Sequence, residues 1–299
     1  MSQRSEALRG HAAMLLFSIL VAGSFSLGAR IANMVDPVAL TAVRFAIAGV
    51  LIGALAFATG GIPRTALRAP WRYAVLGGVF AIYFVLMFEG LKTADPVDAA
   101  AVFTLTPVLT AVIAWLLLRQ ITTAGVALGL ALGAAGALWV IFDADIARLL
   151  SLDLGRGEAI YFVGCVAHAV YTPMVRKLNQ GERPVVFTFG MLIAGAALLF
   201  AISGGQIART EWLALPPLFW FTLAYLAVFA SAVTFLLLQY ATLRLPSAKV
   251  MAYTYLTPSV VILWEVSSGA SWPASVVAIG IAMTIAALLI LVRPDPRGA

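Results

Sequence analysis

PVDAAAVFTLTPVLTAVIAWLLL, residues 96–118, is apolar almost throughout and carries Leu105-Thr106-Pro107 near its middle. The same tripeptide returns at Leu256-Thr257-Pro258, inside the apolar run SAKVMAYTYLTPSVVILWEVS at residues 247–267. Each proline stands 11 residues past the start of its run, Pro96 to Pro107 and Ser247 to Pro258. At about 1.5 Å per residue that is roughly 16 Å, halfway across a bilayer core of about 30 Å. Proline removes a backbone donor, so the carbonyls of Phe103 and Thr254, four residues earlier, are expected to be open acceptors at mid-membrane depth. Such backbone persists only where protein packs around it or water reaches it, and transporters place binding sites there. A packed kink gives the same local pattern. Its recurrence in both halves of the chain favours a site at Pro107 and Pro258.

The 299 residues are 63% hydrophobic and 11% charged, against about 25% charged in an average soluble domain. Apolar runs long enough to span a bilayer recur along the whole length, so the expected class is an all-α polytopic membrane protein. The first run, residues 12–34, is longer than the apolar region of a signal peptide and is followed by further spans, so it is read as a membrane helix. Cys165 is the only cysteine, and the histidines are His11 and His168. An intramolecular disulfide or a Cys/His metal centre is therefore excluded, and no cofactor is expected. The formal charge of +6 comes from basic residues in short loops, which topology explains without nucleic acid.

Ten spans are expected, at 12–34, 37–58, 71–92, 96–118, 122–142, 157–179, 184–203, 215–243, 247–267 and 272–292. Basic residues concentrate in the loops of one side, with Arg64, Arg68, Arg119, Arg176, Lys177, Arg183, Arg293 and Arg297 among them. Arg30, Lys92, Arg148, Arg156 and Arg209 fall on the other. This positive-inside bias puts both termini in the cytoplasm, and a bacterial inner membrane is the expected location. The connection 142–158, with Asp143, Asp145, Asp153 and Glu158, is the most polar stretch and divides the spans five and five. The expected domains are 12–142 and 157–292. Sliding Pro107 onto Pro258 also lays Asp98 on Lys249 and Gly129 on Gly280. Five is odd, so the second copy enters from the opposite side, giving an inverted repeat. Gly125, Gly129, Gly133 and Ala137 in the fifth span, and Ala278, Ala282 and Ala286 in the tenth, form small-residue stripes suited to close helix packing.

Gly23-Ser24-Phe25, Asp36-Pro37 followed by Arg44-Phe45, Gly90-Leu91-Lys92 and the two Leu-Thr-Pro segments occur in an order that resembles the EamA-type branch of the drug/metabolite transporter superfamily. The resemblance covers nearly the whole chain. It implies a ten-helix secondary transporter of two inverted five-helix repeats that moves small metabolites, commonly amino acids or drugs and often outward. Among its subtypes the aromatic-amino-acid exporters are the nearest in kind. The Gly-Glu pair that the family often carries about a dozen residues after each proline is replaced here by Gln120 and by Ala270-Ser271, so no role of that glutamate carries over.

A chamber between the repeats would be lined by Tyr83, Phe84, Phe103, Tyr253 and Tyr255, an aromatic wall suited to an amphipathic solute. Cys165, His168 and Tyr171 share a helix face beside Thr172-Pro173. A histidine at membrane depth is costly unless paired or wet, which makes His168 a binding candidate, although a core histidine bonded to a neighbouring helix is an equal reading. Gln239 offers a donor and an acceptor to a zwitterion. Glu89, Asp98 and Lys249 are the candidates for coupling or gating, with an interfacial role as the simpler reading of both carboxylates. Lys249 is expected at the cytoplasmic mouth, where a substrate carboxylate or an anionic lipid would meet it. Arg44, inside the second span, requires a carbonyl or carboxylate partner. The phosphate-binding loop G-x-x-x-x-G-K-[ST] is absent, which excludes ATP-driven transport from within this chain. No G-x-S-x-G elbow, zinc-spaced histidine pair or Ser/Lys dyad is evident, so a membrane enzyme has no visible catalytic group. The leading expectation is export of amino acids and related metabolites, with lipophilic cations and a non-transporting sensor or enzyme as the alternatives. Small molecules and membrane lipid are the expected partners, and the oligomeric state is open.

Overall fold

A computed structural model describes residues 3–142, 144–151 and 154–292, and among these every regular element is helical. Span 1 is Gln3–Ile31, span 2 Pro37–Ala58, span 3 Trp71–Gly90, span 4 Pro96–Leu118 and span 5 Ala124–Ile141. Span 6 is Arg156–Leu178, span 7 Pro184–Arg209, span 8 Pro217–Thr242, span 9 residues 247–267 and span 10 Val277–Val292. Arg293 and Arg297, like Asp143 and Asp153 of the polar connection, lie outside the described residues.

Local chemistry explains where the spans begin. Asp36 and Asp95 each precede a proline at the first helical turn, and each carboxylate accepts backbone N–H groups of the turn it caps: Val38 at 2.9 Å and Ala39 at 3.1 Å for Asp36, Val97 at 2.8 Å for Asp95. Span 7 runs six residues past its expected end at 203, through Gly204-Gly205 to Arg209, because nothing in that stretch removes a backbone donor. Span 10 begins at Val277, later than expected, since Pro273 sits within the irregular stretch 268–276 that precedes it.

The helix pairings are two-fold symmetric. Span 3 packs on spans 6 and 7 as span 8 packs on spans 1 and 2, and span 4 meets span 6 as span 9 meets span 1. Span 2 pairs with span 7, and span 5 with span 10. Exchanging the halves interchanges the first pairings and returns the last two to themselves, as a repeat related by a pseudo-two-fold axis requires. Val50, Phe57, Leu128 and Leu289 stand on the outside of this arrangement, more than half exposed, as side chains facing hydrocarbon do.

Spans 5 and 10 approach closely at Gly136 and Gly280, where a Cβ on either glycine would lie 2.7 Å from the other's carbonyl oxygen. Gly133 receives the ring of Tyr255, which leaves no room for a side chain. Part of the small-residue expectation fails. Gly125 meets no neighbour, and Ala278 and Ala282 are exposed. The packed face of span 10 is instead Gly280, Thr284, Ala287, Leu288 and Leu291, because the close approach of Gly136 to Gly280 fixes the rotation of the helix and turns the alanine stripe outward.

Both Leu-Thr-Pro segments break their helices, and Pro107 and Pro258 are buried. The carbonyls beside them are nonetheless satisfied, contrary to the open acceptors expected at Phe103 and Thr254. The Thr106 hydroxyl donates to the Phe103 oxygen, and the Thr257 N–H donates to the Thr254 oxygen. Span 4 tightens through three-residue turns at Thr104 and Leu105, and residues Ala252–Leu256 of span 9 form a 3-10 helix. Shorter turns pick up the groups that the missing proline N–H would leave. Ser18 of span 1 adds a hydrogen bond to the Tyr253 carbonyl at 2.6 Å.

Candidate functional site

Aromatic side chains from spans 3, 4, 6 and 8 converge where the two halves meet. Phe80, Tyr83 and Phe84 lie on successive turns of span 3, so one helix face delivers all three. Tyr161, Cys165, His168 and Tyr171 do the same on span 6, and all four are buried. The Phe80 and Tyr171 rings stack with centroids 4.0 Å apart and planes 7° apart. His168 sits edge-on among Tyr83 at 4.5 Å, Phe80 at 5.1 Å and Phe103 at 5.3 Å. Phe235 of span 8 completes the group, 4.5 Å from Phe80. Each offset or edge-on ring pair contributes about 0.5–1.5 kcal/mol beyond area burial, so the cluster also holds the halves together.

Polar atoms thread through these rings. The hydroxyls of Tyr83 and Tyr161 are 3.1 Å apart. Gln239 donates to the Tyr171 hydroxyl at 3.0 Å, and that hydroxyl donates to the Met191 sulfur. His168 Nδ1 and Gln239 Oε1 are buried without a hydrogen-bond partner. A cavity of about 10 Å³ lies between the spans, walled in part by Ser24, Tyr83, Phe84, His168, Ala230 and Phe235. That is room for about one water molecule, so this conformation is occluded around its centre. At one end of the molecule the backbones of Gly90 and Gly157 meet in close contact. At the other end, Gly10 packs on Leu245 and the Glu6 carboxylate accepts from Arg244 at 2.7 Å. These two seams, span 3 on span 6 and span 8 on span 1, are mates under the two-fold.

The expected site residues divide into groups. Tyr83, Phe84, Phe103, His168, Tyr171 and Gln239 come together in this cluster. Tyr253 lies towards the Arg244 end, where its hydroxyl is 3.1 Å from His11 Nδ1. Tyr255 points away from the cluster, wedged against Gly133 with its hydroxyl donating to the Leu130 carbonyl. Alternate residues of the 3-10 turn leave on different sides, which separates the two tyrosines from the chamber that the sequence suggested for them. Glu89 is partly exposed at the end of span 3 and pairs with Lys92 at 2.7 Å. Asp98 is half-buried in the first turn of span 4. Lys249 lines a separate vestibule of about 300 Å³ with Arg176, Gln120 and Thr123. Residues the sequence reading passed over include Phe80, Tyr161 and Phe235. For Tyr161 the signal was present, since it begins the same helical stripe as Cys165, His168 and Tyr171.

Among the described residues two arginines are buried. Arg44 of span 2 donates from Nε to the Ser231 hydroxyl at 2.9 Å and from Nη2 to the Ala230 carbonyl at 2.8 Å, and its guanidinium lies 4.0 Å over the Phe84 ring. The Ala230 carbonyl that accepts from Arg44 lies in Val228–Val233, a π-helical turn within span 8. Arg72, at the start of span 3, pairs with Glu182 at 2.6 Å and donates to the Leu178 carbonyl. Glu182 lies in the loop between spans 6 and 7. Burial alone would raise its carboxyl, but hydrogen bonds from Arg72 and the Gln180 N–H outweigh that and hold it below its ordinary value.

Comparison with known proteins agrees with this architecture. Residues 8–142 and 155–293 each match the EamA-like transporter family. The uncharacterized transporter YyaM of Bacillus subtilis (strain 168) is 28% identical over 259 residues, 86% of this chain and 85% of that protein. The aromatic amino acid exporter YddG of Ancylobacter novellus is 37% identical over 137 residues, 44% of this chain and 45% of that protein. A solved crystal structure superposes with a TM-score of 0.71 at 24% identity, covering 97% of this chain and 96% of that one, and speaks for the fold alone. With both halves matched, this multi-pass membrane protein belongs to the EamA-like transporter family.

Proposed function

We propose that this chain is a secondary transporter that exports amino acids, aromatic ones included, across the bacterial cytoplasmic membrane by alternating access. The observation that carries this reading is the occluded aromatic cavity of about 10 Å³ between two symmetric halves. A chamber at the repeat interface is where such folds bind solute, and its ring faces and few unpaired polar atoms suit an amphipathic zwitterion. Tyr83, Phe84, Phe103, His168, Tyr171 and Gln239 are the proposed substrate contacts. The Gly90–Gly157 seam and the Glu6–Arg244 seam open in turn, hinged where Pro107 and Pro258 interrupt their helices. Both termini, Lys249 and its vestibule lie on the cytoplasmic side in this reading, and the repeats occupy 12–142 and 157–292. The match of 44% of the chain to an aromatic amino acid exporter supports the substrate class.

Purified protein in liposomes preloaded with labelled tryptophan, methionine or threonine is expected to release label faster than protein-free liposomes. Equal release for every amino acid removes this substrate class. Imposing a proton gradient across the same vesicles separates a coupled exporter from a facilitator, whose flux follows the substrate gradient alone.

A further inference from the structure

Arg44 is a buried cation that the protein does not neutralise. Its residue is fully shielded from solvent, and among the described residues no carboxylate lies within ion-pairing distance of it. The partners it has are neutral: a hydroxyl, a carbonyl and the Phe84 ring. Its third nitrogen, Nη1, has no hydrogen-bond partner. Neutral dipoles solvate a guanidinium in part but do not cancel its charge, and an uncompensated charge in a low-dielectric interior is strongly unfavourable. An anion that reached it would recover that free energy as binding.

The position fits such an anion. Phe84, which the guanidinium covers, and Ala230, whose carbonyl it holds, both belong to the wall of the central cavity. Arg44 therefore stands directly behind that wall, one side chain away from the space between the halves. His168, with Nδ1 unpartnered, belongs to the same wall. The cavity would thus offer a cation, an unpartnered ring nitrogen and aromatic faces, and an α-amino acid carries the complementary carboxylate, ammonium and side chain.

We propose that Arg44 is the carboxylate-binding group of this transporter, engaging the acid through Nη1 once the halves separate and Phe84 turns aside. The inference deepens the amino-acid reading above and rests on it. It makes recognition of the carboxylate, and not of the side chain, the step that admits a solute. A charge-assisted contact of this kind in a dry site discriminates an acid from its neutral isostere by about tenfold or more.

The test uses ligand-induced thermal stabilisation of the purified full chain in detergent, with tryptophan against tryptophanamide and benzoate against benzamide. Wild type is expected to bind each acid at least about tenfold more tightly than its amide. Arg44→Met is expected to bind acid and amide equally. Arg44→Lys, which keeps the charge but loses the planar fork, is expected to fall between them. A wild type that prefers no acid over its amide overturns the proposal, as does an unchanged preference in either folded variant. Failure of the export reading shows separately, as absent amino-acid flux from liposomes while the acid preference in detergent persists.

Discussion

Arg72 and Arg44 are equally hidden, at 1% and 0% exposure, and are provided for in opposite ways. Arg72 has a carboxylate at 2.6 Å and two backbone carbonyls, and it ties span 3 to the loop that leads into span 7. Arg44 has one carbonyl, one hydroxyl and a spare nitrogen. A buried charge given its counter-ion serves as a joint. One left without it is held ready for something that arrives. The same side chain thus marks rigidity at the edge of the fold and recognition near its centre.

That contrast can be broken by measurement. Arg72→Met strands the Glu182 carboxylate, and removing one partner of a buried pair costs about 3–5 kcal/mol. A large drop in melting temperature in detergent is expected, and a drop no larger than that of an exposed variant would remove the distinction. The pair also has a pH signature. Glu182 titrates below its ordinary value of 4.5 in the folded protein, so its contribution is full above that value and is lost as pH falls through the lower folded one. Wild type should therefore destabilise more steeply than Glu182→Gln as pH falls below 4.5.

Gly133→Ala sets an intermediate scale, because its methyl group meets the Tyr255 ring. Overpacking there costs about 1–3 kcal/mol and should leave acid-over-amide preference untouched. Arg44→Met should cost less than Arg72→Met. It removes an unbalanced charge while orphaning the Ala230 carbonyl and the Ser231 hydroxyl, at about 1–3 kcal/mol for each unsatisfied group, and the two effects oppose. Its melting temperature is expected near that of wild type, with the loss confined to ligand recognition. The smallest effect belongs to Glu89→Gln, whose pair with Lys92 is 39% and 29% exposed. Such pairs contribute about 0–1 kcal/mol, and unchanged efflux in this variant would count against proton coupling or lipophilic-cation export through Glu89.

The large divisions of the fold were legible because each has a period or a count behind it. Span length, five-and-five division and the paired Leu-Thr-Pro segments follow from apolar run lengths and proline positions alone. So did the helix stripe of His168 and Tyr171, since a 3.6-residue repeat puts them on one face. What the sequence could not supply was rotation about each helix axis. A 3-10 turn sends Tyr255 towards Gly133 instead of the cavity, and the Gly136–Gly280 contact turns Ala278 and Ala282 of span 10 outward. The π turn at Val228–Val233 carries no composition signal, so the partner of Arg44 was hidden with it. Glu182 is a loop residue, and nothing along the chain announces that Arg72 will reach it from span 3.

The π turn reaches further than the carbonyl it presents to Arg44. A helix advances about 100° per residue, so one residue of slack at Val228–Val233 re-aims everything downstream by that angle. Phe235 meets Phe80, and Gln239 meets Tyr171, on a heading that an uninterrupted α-helix from Pro217 would not give them. Shortening span 8 by one residue there would withdraw the hydrogen-bond acceptor of Arg44 and swing both side chains off the cluster together, so a single backbone irregularity keeps the two recognition elements in phase.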